Sequence, residues 1–451
     1  MITSPAFSGK RYAVLGLARS GAATVRALVA SGAHVVGWDD NEAMARPLFE
    51  ELKSDREELG AEPRFTLKNW LLALDLTGFD AVVVSPGVPL NRHPVAEKAA
   101  KYGVPVIGDI ELFSQARASL PPHKVIGITG TNGKSTTTAL IHHIIKAAGV
   151  PTTLGGNIGL PILGQDPLTP NDQGAGVYVL ELSSYQIDLT HSLDCDVGVL
   201  LNITPDHLDR YDGFAGYAAS KARLFAMMSE GHIAVIATED EETLKIANVF
   251  RHTRETGEKT LIEVSSKAIA DQSQWPALQG PHNAQNAVVA IAAAVALGIS
   301  PEAVQEGLRT YPGLPHRMER VAERDGVLFV NDSKATNPSS SAYALASYPA
   351  IHWILGGLPK SDRLDECTPM FGHVRAAYTI GEASPLFARL LAEAGKPVTE
   401  SVTLDRAVSA AAAAAKPGEV VLLSPACASF DQFKDYEARG DAFRAAVGEL
   451  A

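Results

Sequence analysis

The stretch Gly127-Ile128-Thr129-Gly130-Thr131-Asn132-Gly133-Lys134-Ser135 puts three glycines, a lysine and a hydroxyl between an apolar run and an amphipathic one. Glycines let consecutive backbone N–H groups turn toward an anion, and a helix starting there adds partial positive charge. In such a loop Lys134 reaches the β- and γ-phosphates of a nucleotide, and the Ser135 hydroxyl ligates Mg²⁺. The strict phosphate-loop spacing asks for glycine at 128, where this chain has Ile. A glycine-rich turn with a surface lysine would explain the letters but not the strand and helix that flank them.

Further chemistry-bearing residues follow apolar runs. Glu181 closes Tyr178-Val179-Leu180, the place where α/β proteins put Mg²⁺ ligands, although a strand-end glutamate alone is usually solvated or capping. Asn202-Ile203-Thr204-Pro205-Asp206-His207-Leu208-Asp209-Arg210 follows the next run. Near the N-terminus, Val14-Leu15-Gly16-Leu17-Ala18-Arg19-Ser20-Gly21 with Asp39-Asp40 imitates a dinucleotide fingerprint. Ala18 replaces the glycine that lets backbone approach a pyrophosphate.

The elements that must hold these residues are those of α/β architecture, because β-type runs alternate with helical patterns along the whole chain. Strands are expected at 11–15, 35–38, 81–84 and 104–107, then 124–129, 177–180, 197–201 and 233–237, then 327–330, 352–355, 376–380 and 420–423. Helices are expected at 22–31, 135–148, 282–297 and 302–308. Pro121-Pro122 and the segment Tyr311–Pro315 punctuate the series. The reading is three α/β domains: a Rossmann-like domain over 1–112, a central phosphate-loop ATPase-like domain over 113–313 and a Rossmann-like domain over 314–451.

Across 451 residues, 46% hydrophobic and 20% charged composition excludes wholesale disorder. A net charge of −12 argues against non-specific nucleic-acid binding. Cys195, Cys367 and Cys427 form no framework, which fits a reducing compartment. The Ala-rich run 287–299 is too short to span a bilayer, and no secretory signal pattern opens the chain. A cytoplasmic protein without membrane insertion is expected.

Taken in order, these motifs resemble the Mur ligase family, ATP-dependent amide-forming enzymes of peptidoglycan assembly, with folylpolyglutamate synthases as relatives. The resemblance adds Glu181-Leu182-Ser183-Ser184-Tyr185-Gln186, Lys221 within Tyr217–Arg223, and His282-Asn283-Ala284-Gln285-Asn286-Ala287. It also takes in Ser85-Pro86-Gly87-Val88, Gly155-Gly156-Asn157-Ile158-Gly159, Leu314–Glu319, Asn331–Pro338 and Ser424–Phe433.

It implies ATP held by Gly130, Thr131, Asn132, Gly133, Lys134, Ser135, Thr136, Asn286, Arg317 and Asp332. It implies Mg²⁺, two ions, on Ser135, Glu181, His207 and a carbamylated Lys221, with Lys134, Glu181, His207 and Lys221 as the catalytic set. The uridine diphosphate part of the substrate would meet Ser20, Asp39, Ser85, Gly87, Asn157 and Ser183. The spelling Asn331-Asp332-Ser333-Lys334-Ala335-Thr336-Asn337-Pro338 resembles the members that add D-glutamate to UDP-N-acetylmuramoyl-L-alanine. Lys334, Thr336, Lys360, Ser429 and the backbone near Tyr436 would then bind D-glutamate.

Two departures stand out: Leu358 occupies a place where many members have Asp, and Tyr436 one that is often Phe. The implied reaction proceeds through an acyl phosphate in a monomeric ligase. Its rivals are a ligase of the same family with another amino acid or acceptor, a nucleotide-gated binding protein without chemistry, and a nicotinamide-dependent dehydrogenase.

Overall fold

A computed structural model describes residues 1–58, 64–255 and 260–450. Its strands gather into three sheets. The first holds β1 (Arg11–Leu15), β2 (His34–Trp38), β3 (Phe65–Leu67), β4 (Ala81–Val84) and β5 (Val106–Ile107), in the order β3-β2-β1-β4-β5. The second holds β6 (His123–Thr129), β7 (Thr152–Gly156), β8 (Gly176–Glu181), β9 (Val197–Leu200), β10 (Ile233–Ala237) and β11 (Leu261–Val264), in the order β11-β10-β9-β6-β8-β7. The third holds β12 (Glu319–Arg324), β13 (Val327–Asn331), β14 (Ile351–Gly356), β15 (Val374–Ile380), β16 (Val398–Val402) and β17 (Val420–Leu423), in the order β12-β13-β17-β14-β15-β16. Every pairing is parallel except β12 against β13. The central strands are apolar on both faces, as sheets covered by helices on both sides require.

Each expected strand is present, with the run at 104–107 reduced to Val106–Ile107. The strands that sequence reading passed over are β3, β7, β11, β12 and β16, and each is a sheet edge. Edge strands bury less surface, so their residues stay polar or small: Thr152-Thr153-Leu154-Gly155-Gly156 and Glu319-Arg320-Val321-Ala322-Glu323-Arg324 show no apolar run.

The chain divides into two compact units, Met1–Tyr311 and Pro312–Ala451, the first containing two of the sheets. Within it the buried Glu111 carboxylate accepts from the backbone N–H groups of His191 (2.7 Å) and Ser192 (2.9 Å), and Gly108 N–H donates to the Leu189 carbonyl at 2.9 Å. Those bonds join residues 108–111 to residues 189–192, which follow the helix Ser184–Asp188 and lead to β9. No described helix is long and apolar enough to cross a membrane.

In open parallel sheets, ligands bind at strand C-terminal ends where the strand order reverses. In the second sheet that place lies around β6, flanked by β9 and β8. The loops following these three strands carry Gly130–Lys134, Asn202 and Leu182–Ser183.

Candidate active site

The phosphate loop leaves β6 at Thr129 and enters the helix Lys134–Ala147. Gly133 has φ +81, a left-handed backbone that a side chain resists. A Cβ there would also collide with the Asn286 amide oxygen. Asn286 is buried and accepts from the Thr137 hydroxyl at 3.2 Å, so it braces the start of the loop helix from beneath.

The other side of the loop is tied to the segment after β9. Thr131 N–H donates to the Asn202 carbonyl and Asn132 N–H to Asn202 Oδ1, both at 2.8 Å. Thr204 N–H donates to Thr131 Oγ1 at 3.0 Å, and Asn202 Nδ2 reaches Gln285 at 2.8 Å. Asn202, Thr204 and Gln285 are residues that sequence reasoning left without roles, though all three stand inside motifs it quoted.

Two lysines converge on one oxygen. Lys134 Nζ donates to the carbonyls of Gly130 (3.0 Å) and Thr131 (2.8 Å), and Lys221 Nζ donates to the same Gly130 carbonyl at 2.8 Å. Lys221 is 1% exposed and lies 4.6 Å from the centroid of the Tyr217 ring. Burial, reinforced by the Lys134 charge, pulls its ammonium down from 10.5 to about 7.

Glu181, at the end of β8, is 1% exposed. Its Oε1 accepts from Asn157 Nδ2 at 3.0 Å, while Oε2 is buried without a hydrogen-bond partner. A buried carboxylate oxygen left unsatisfied is costly, and a cation is a partner that would remove the cost. The donor chemistry therefore fits Mg²⁺.

His207, unlike Lys221 and Glu181, is not buried. Its side chain is about half exposed, its backbone is left-handed (φ +52), and its Nε2 lies 3.4 Å from Asp206 Oδ2. Among the described residues no three His, Cys, Asp or Glu side chains gather into a metal cluster. Of the residues read as metal ligands, Glu181 and His207 are the two of those types.

At the N-terminal sheet, Gly16 has φ +86, and a Cβ there would fall 2.7 Å from Ser85 Oγ. The Ser85 hydroxyl donates to the Gly16 carbonyl at 3.3 Å, bringing Ser85-Pro86-Gly87 beside the turn that opens the helix Arg19–Ala30. Asp39 accepts from Leu17 N–H (2.6 Å) and Asn41 N–H (2.8 Å), so its carboxylate shapes that turn. Ser183 is the N-cap of the helix Ser184–Asp188 and exchanges hydrogen bonds with Gln186.

In the C-terminal unit the loops after β13, β14 and β17 meet. Leu358 and Ala428 exchange backbone hydrogen bonds of 2.9 and 3.0 Å, which sets the Lys360 loop beside Ser429. Lys360 Nζ lies 3.3 Å from Thr336 Oγ1, and Lys334 Nζ donates to the Tyr436 hydroxyl at 3.2 Å. Arg439, which the sequence reading did not select, is buried beneath them and donates to Ser333 Oγ and to the Ser333 and Ala428 carbonyls. Asp332 is buried, accepts from Ser424 Oγ and Met318 N–H, and has its carboxyl raised to about 7 by desolvation. Arg317 stands next to Met318 in the turn that ends at β12.

The phosphate loop, the two lysines that converge on it and the three sheets define a nucleotide-dependent ligase architecture, and the chain belongs to the Mur ligase family. The Mur ligase middle domain matches residues 128–294, the Mur ligase glutamate ligase domain residues 316–427, and the MurD-like N-terminal domain residues 10–108.

Among curated relatives, the UDP-N-acetylmuramoylalanine--D-glutamate ligase of Novosphingobium aromaticivorans is 63% identical, covering 100% of this chain and 97% of its own. Those of Sphingopyxis alaskensis and Zymomonas mobilis are 59% and 56% identical over the whole of both chains. A solved UDP-N-acetylmuramate-alanine ligase from Thermotoga maritima shares the fold with a TM-score of 0.58 at 16% identity, covering 97% of this chain and 99% of that one.

Proposed function

We infer that the chain is an ATP-dependent ligase that joins D-glutamate to UDP-N-acetylmuramoyl-L-alanine in peptidoglycan precursor synthesis. What supports this reading above all is identity of 56–63% to ligases of that name, with 97–100% of each chain covered. The compartment that goes with it is the cytoplasm.

A free carboxylate is a poor acyl donor. Transfer of the ATP γ-phosphoryl group to it makes an acyl phosphate and ADP, and the amine of D-glutamate then displaces phosphate to form the amide. The N–H groups at the start of the helix Lys134–Ala147 and the Lys134 ammonium would bind the nucleotide phosphates and offset the charge that develops during transfer, while Asn202 holds the Thr131 and Asn132 N–H groups and so fixes the loop. Lys134 is held on the Gly130 and Thr131 carbonyls, within the loop that would receive the phosphates. Ser135 and Glu181, with His207, would hold Mg²⁺, which when bound supplies positive charge to the phosphates.

Lys221 we assign to carbamylation. Its uncharged amine attacks CO₂, an N–C bond forms, and the released proton goes to solvent, leaving an anionic carboxylate-like group beside the cation site. The support is its burial and depressed ammonium, which keep the amine nucleophilic near neutral pH.

Ser20, Asp39, Ser85, Gly87, Asn157 and Ser183 we assign to the UDP-linked substrate. Asn286, Arg317 and Asp332 we assign to the ATP side, and Lys334, Thr336, Lys360, Ser429 and Tyr436 to D-glutamate. The amino-acid binding loops present ammonium and hydroxyl donors, as a dicarboxylate needs.

The test is phosphate release with ATP, Mg²⁺ and UDP-N-acetylmuramoyl-L-alanine while the amino acid is varied. Release that depends on D-glutamate is expected. Release that needs a different amino acid, or none, would overturn the assignment.

A further inference from the structure

The segment that carries His207 is fastened on two sides. Toward the N-terminal sheet, Arg210 Nη2 donates to the Val88 carbonyl at 3.1 Å. From the same loop Asn91 Nδ2 and Arg92 Nη2 each donate to the Asp209 carbonyl at 3.1 Å. Three hydrogen bonds thus join residues 88–92, which continue directly from Ser85-Pro86-Gly87, to residues 209–210.

Toward the phosphate loop the Arg210 guanidinium stacks on Tyr185, 4.1 Å from the ring centroid. The Tyr185 ring lies 5.0 Å from the His207 imidazole, and His207 lies 6.3 Å from Tyr217. Tyr217 in turn faces Lys221 and places its hydroxyl 3.2 Å from Thr131 Oγ1 in the loop. An unbroken set of contacts therefore runs from Val88 through Arg210, Tyr185 and His207 to Tyr217 and the phosphate loop.

We propose that Arg210 is a positioning residue that couples the Ser85–Val88 loop to His207, so that seating the UDP-linked substrate orders the phosphate-transfer side of the site. A planar guanidinium can stack on a ring and donate in its own plane at once; a lysine ammonium has no such plane. His207 depends on this fastening, because it is half exposed on a left-handed backbone and its close polar partners are its neighbour Asp206 and the Arg210 N–H, which donates to the His207 carbonyl at 2.9 Å. The proposal rests on the reading of Ser85–Gly87 as part of the substrate site.

Energetic coupling between two binding sites is reciprocal and measurable as one factor. The experiment is equilibrium binding of a non-hydrolysable ATP analogue with Mg²⁺, with and without saturating UDP-N-acetylmuramoyl-L-alanine, in the full chain. For the native sequence the second ligand should tighten the first by roughly 5- to 150-fold. In R210M and, independently, Y185L the factor should drop below about 2, while each ligand binds alone within about threefold of native. R210K should lose most of the factor, and Y185F, which keeps the ring, should retain it. In turnover at saturating ATP, R210M should lower kcat and, because the coupling is reciprocal, raise the KM for the UDP-linked substrate by about the factor that is lost.

An R210M or R210K chain that melts like the native one and keeps the full factor would overturn the proposal. So would a native factor of 1. S20E separates the two readings by placing a carboxylate at the first turn of the helix Arg19–Ala30. If S20E binds the UDP-linked substrate normally, the substrate site has been misplaced. If S20E abolishes that binding and R210M retains coupling, the Arg210 proposal alone fails.

Discussion

Lys221 supplies the sharpest perturbation. It is 1% exposed, it shares the Gly130 carbonyl with Lys134, and its ammonium is lowered from 10.5 to about 7. At pH 7 about half of such an amine is uncharged, against about 0.03% for an ordinary lysine, so the nucleophile for CO₂ is enriched by about a thousandfold. The assay exposes the protein to ¹³C-labelled CO₂ at constant dissolved gas and follows the initial rate of carbamate formation by NMR against pH, because the rate tracks the uncharged amine whereas the equilibrium extent also depends on the second proton released. The initial rate of labelling should rise with a midpoint near 7 and then level off. Lys221→Ala should carry no label and lose at least about 10²-fold in turnover, with part of the loss restored by a short carboxylic acid that refills the vacancy. A labelling midpoint in the usual lysine range, absence of label at pH 8, or full activity of Lys221→Ala would refute the reasoning.

Lys134→Ala should fold normally and lose about 10²-fold or more in phosphate release, because charge stabilisation at the transferring phosphoryl group is removed; stopped-time phosphate assays and a thermal melt check both halves. Gly133→Ala should cost about 1–2 kcal/mol from the left-handed backbone alone, with a further loss as the Cβ displaces Asn286, measured by denaturant unfolding and nucleotide binding. Thr336→Ala or Ser429→Ala should raise the KM for D-glutamate by roughly 5- to 150-fold, for an unmet partner worth about 1–3 kcal/mol, with ATP binding unchanged. Asp332 has a folded value raised from 3.8 to about 7, so its contribution to stability is complete below 3.8 and is lost as pH rises through 7. Asp332→Asn should flatten that decline in a pH series of unfolding measurements.

The sheet centres were legible because strands such as Ala81–Val84 and Val420–Leu423 are buried on both faces and must be continuously apolar. The edges were not, since Phe65–Leu67 or Val398–Val402 needs no apolar run and takes its place from pairing with a neighbour. The phosphate loop was readable from its glycines and the Lys-Ser pair. Its bracing was not, because Asn202 and Gln285 act through backbone and amide contacts between segments 70 or more residues apart. Asn286 shows the limit from the other side: the motif singled it out, and the structure places it under Gly133 as a support for the loop helix. The fastening by Arg210 is likewise invisible in spacing, as Val88 lies 122 residues away.

The central claim is amino-acid choice, and kcat/KM for D-glutamate, L-glutamate, D-aspartate, L-lysine and meso-diaminopimelate measures it directly. Donors on the loops after β13, β14 and β17 are set at fixed separations, so a dicarboxylate one methylene shorter would leave a donor unmet. The mirror-image amino acid would move its amine away from the acyl phosphate. D-glutamate should be used well, D-aspartate poorly, and L-glutamate and the diamino acids barely at all. Equal use of L-glutamate, or preference for a diamino acid, would contradict the account.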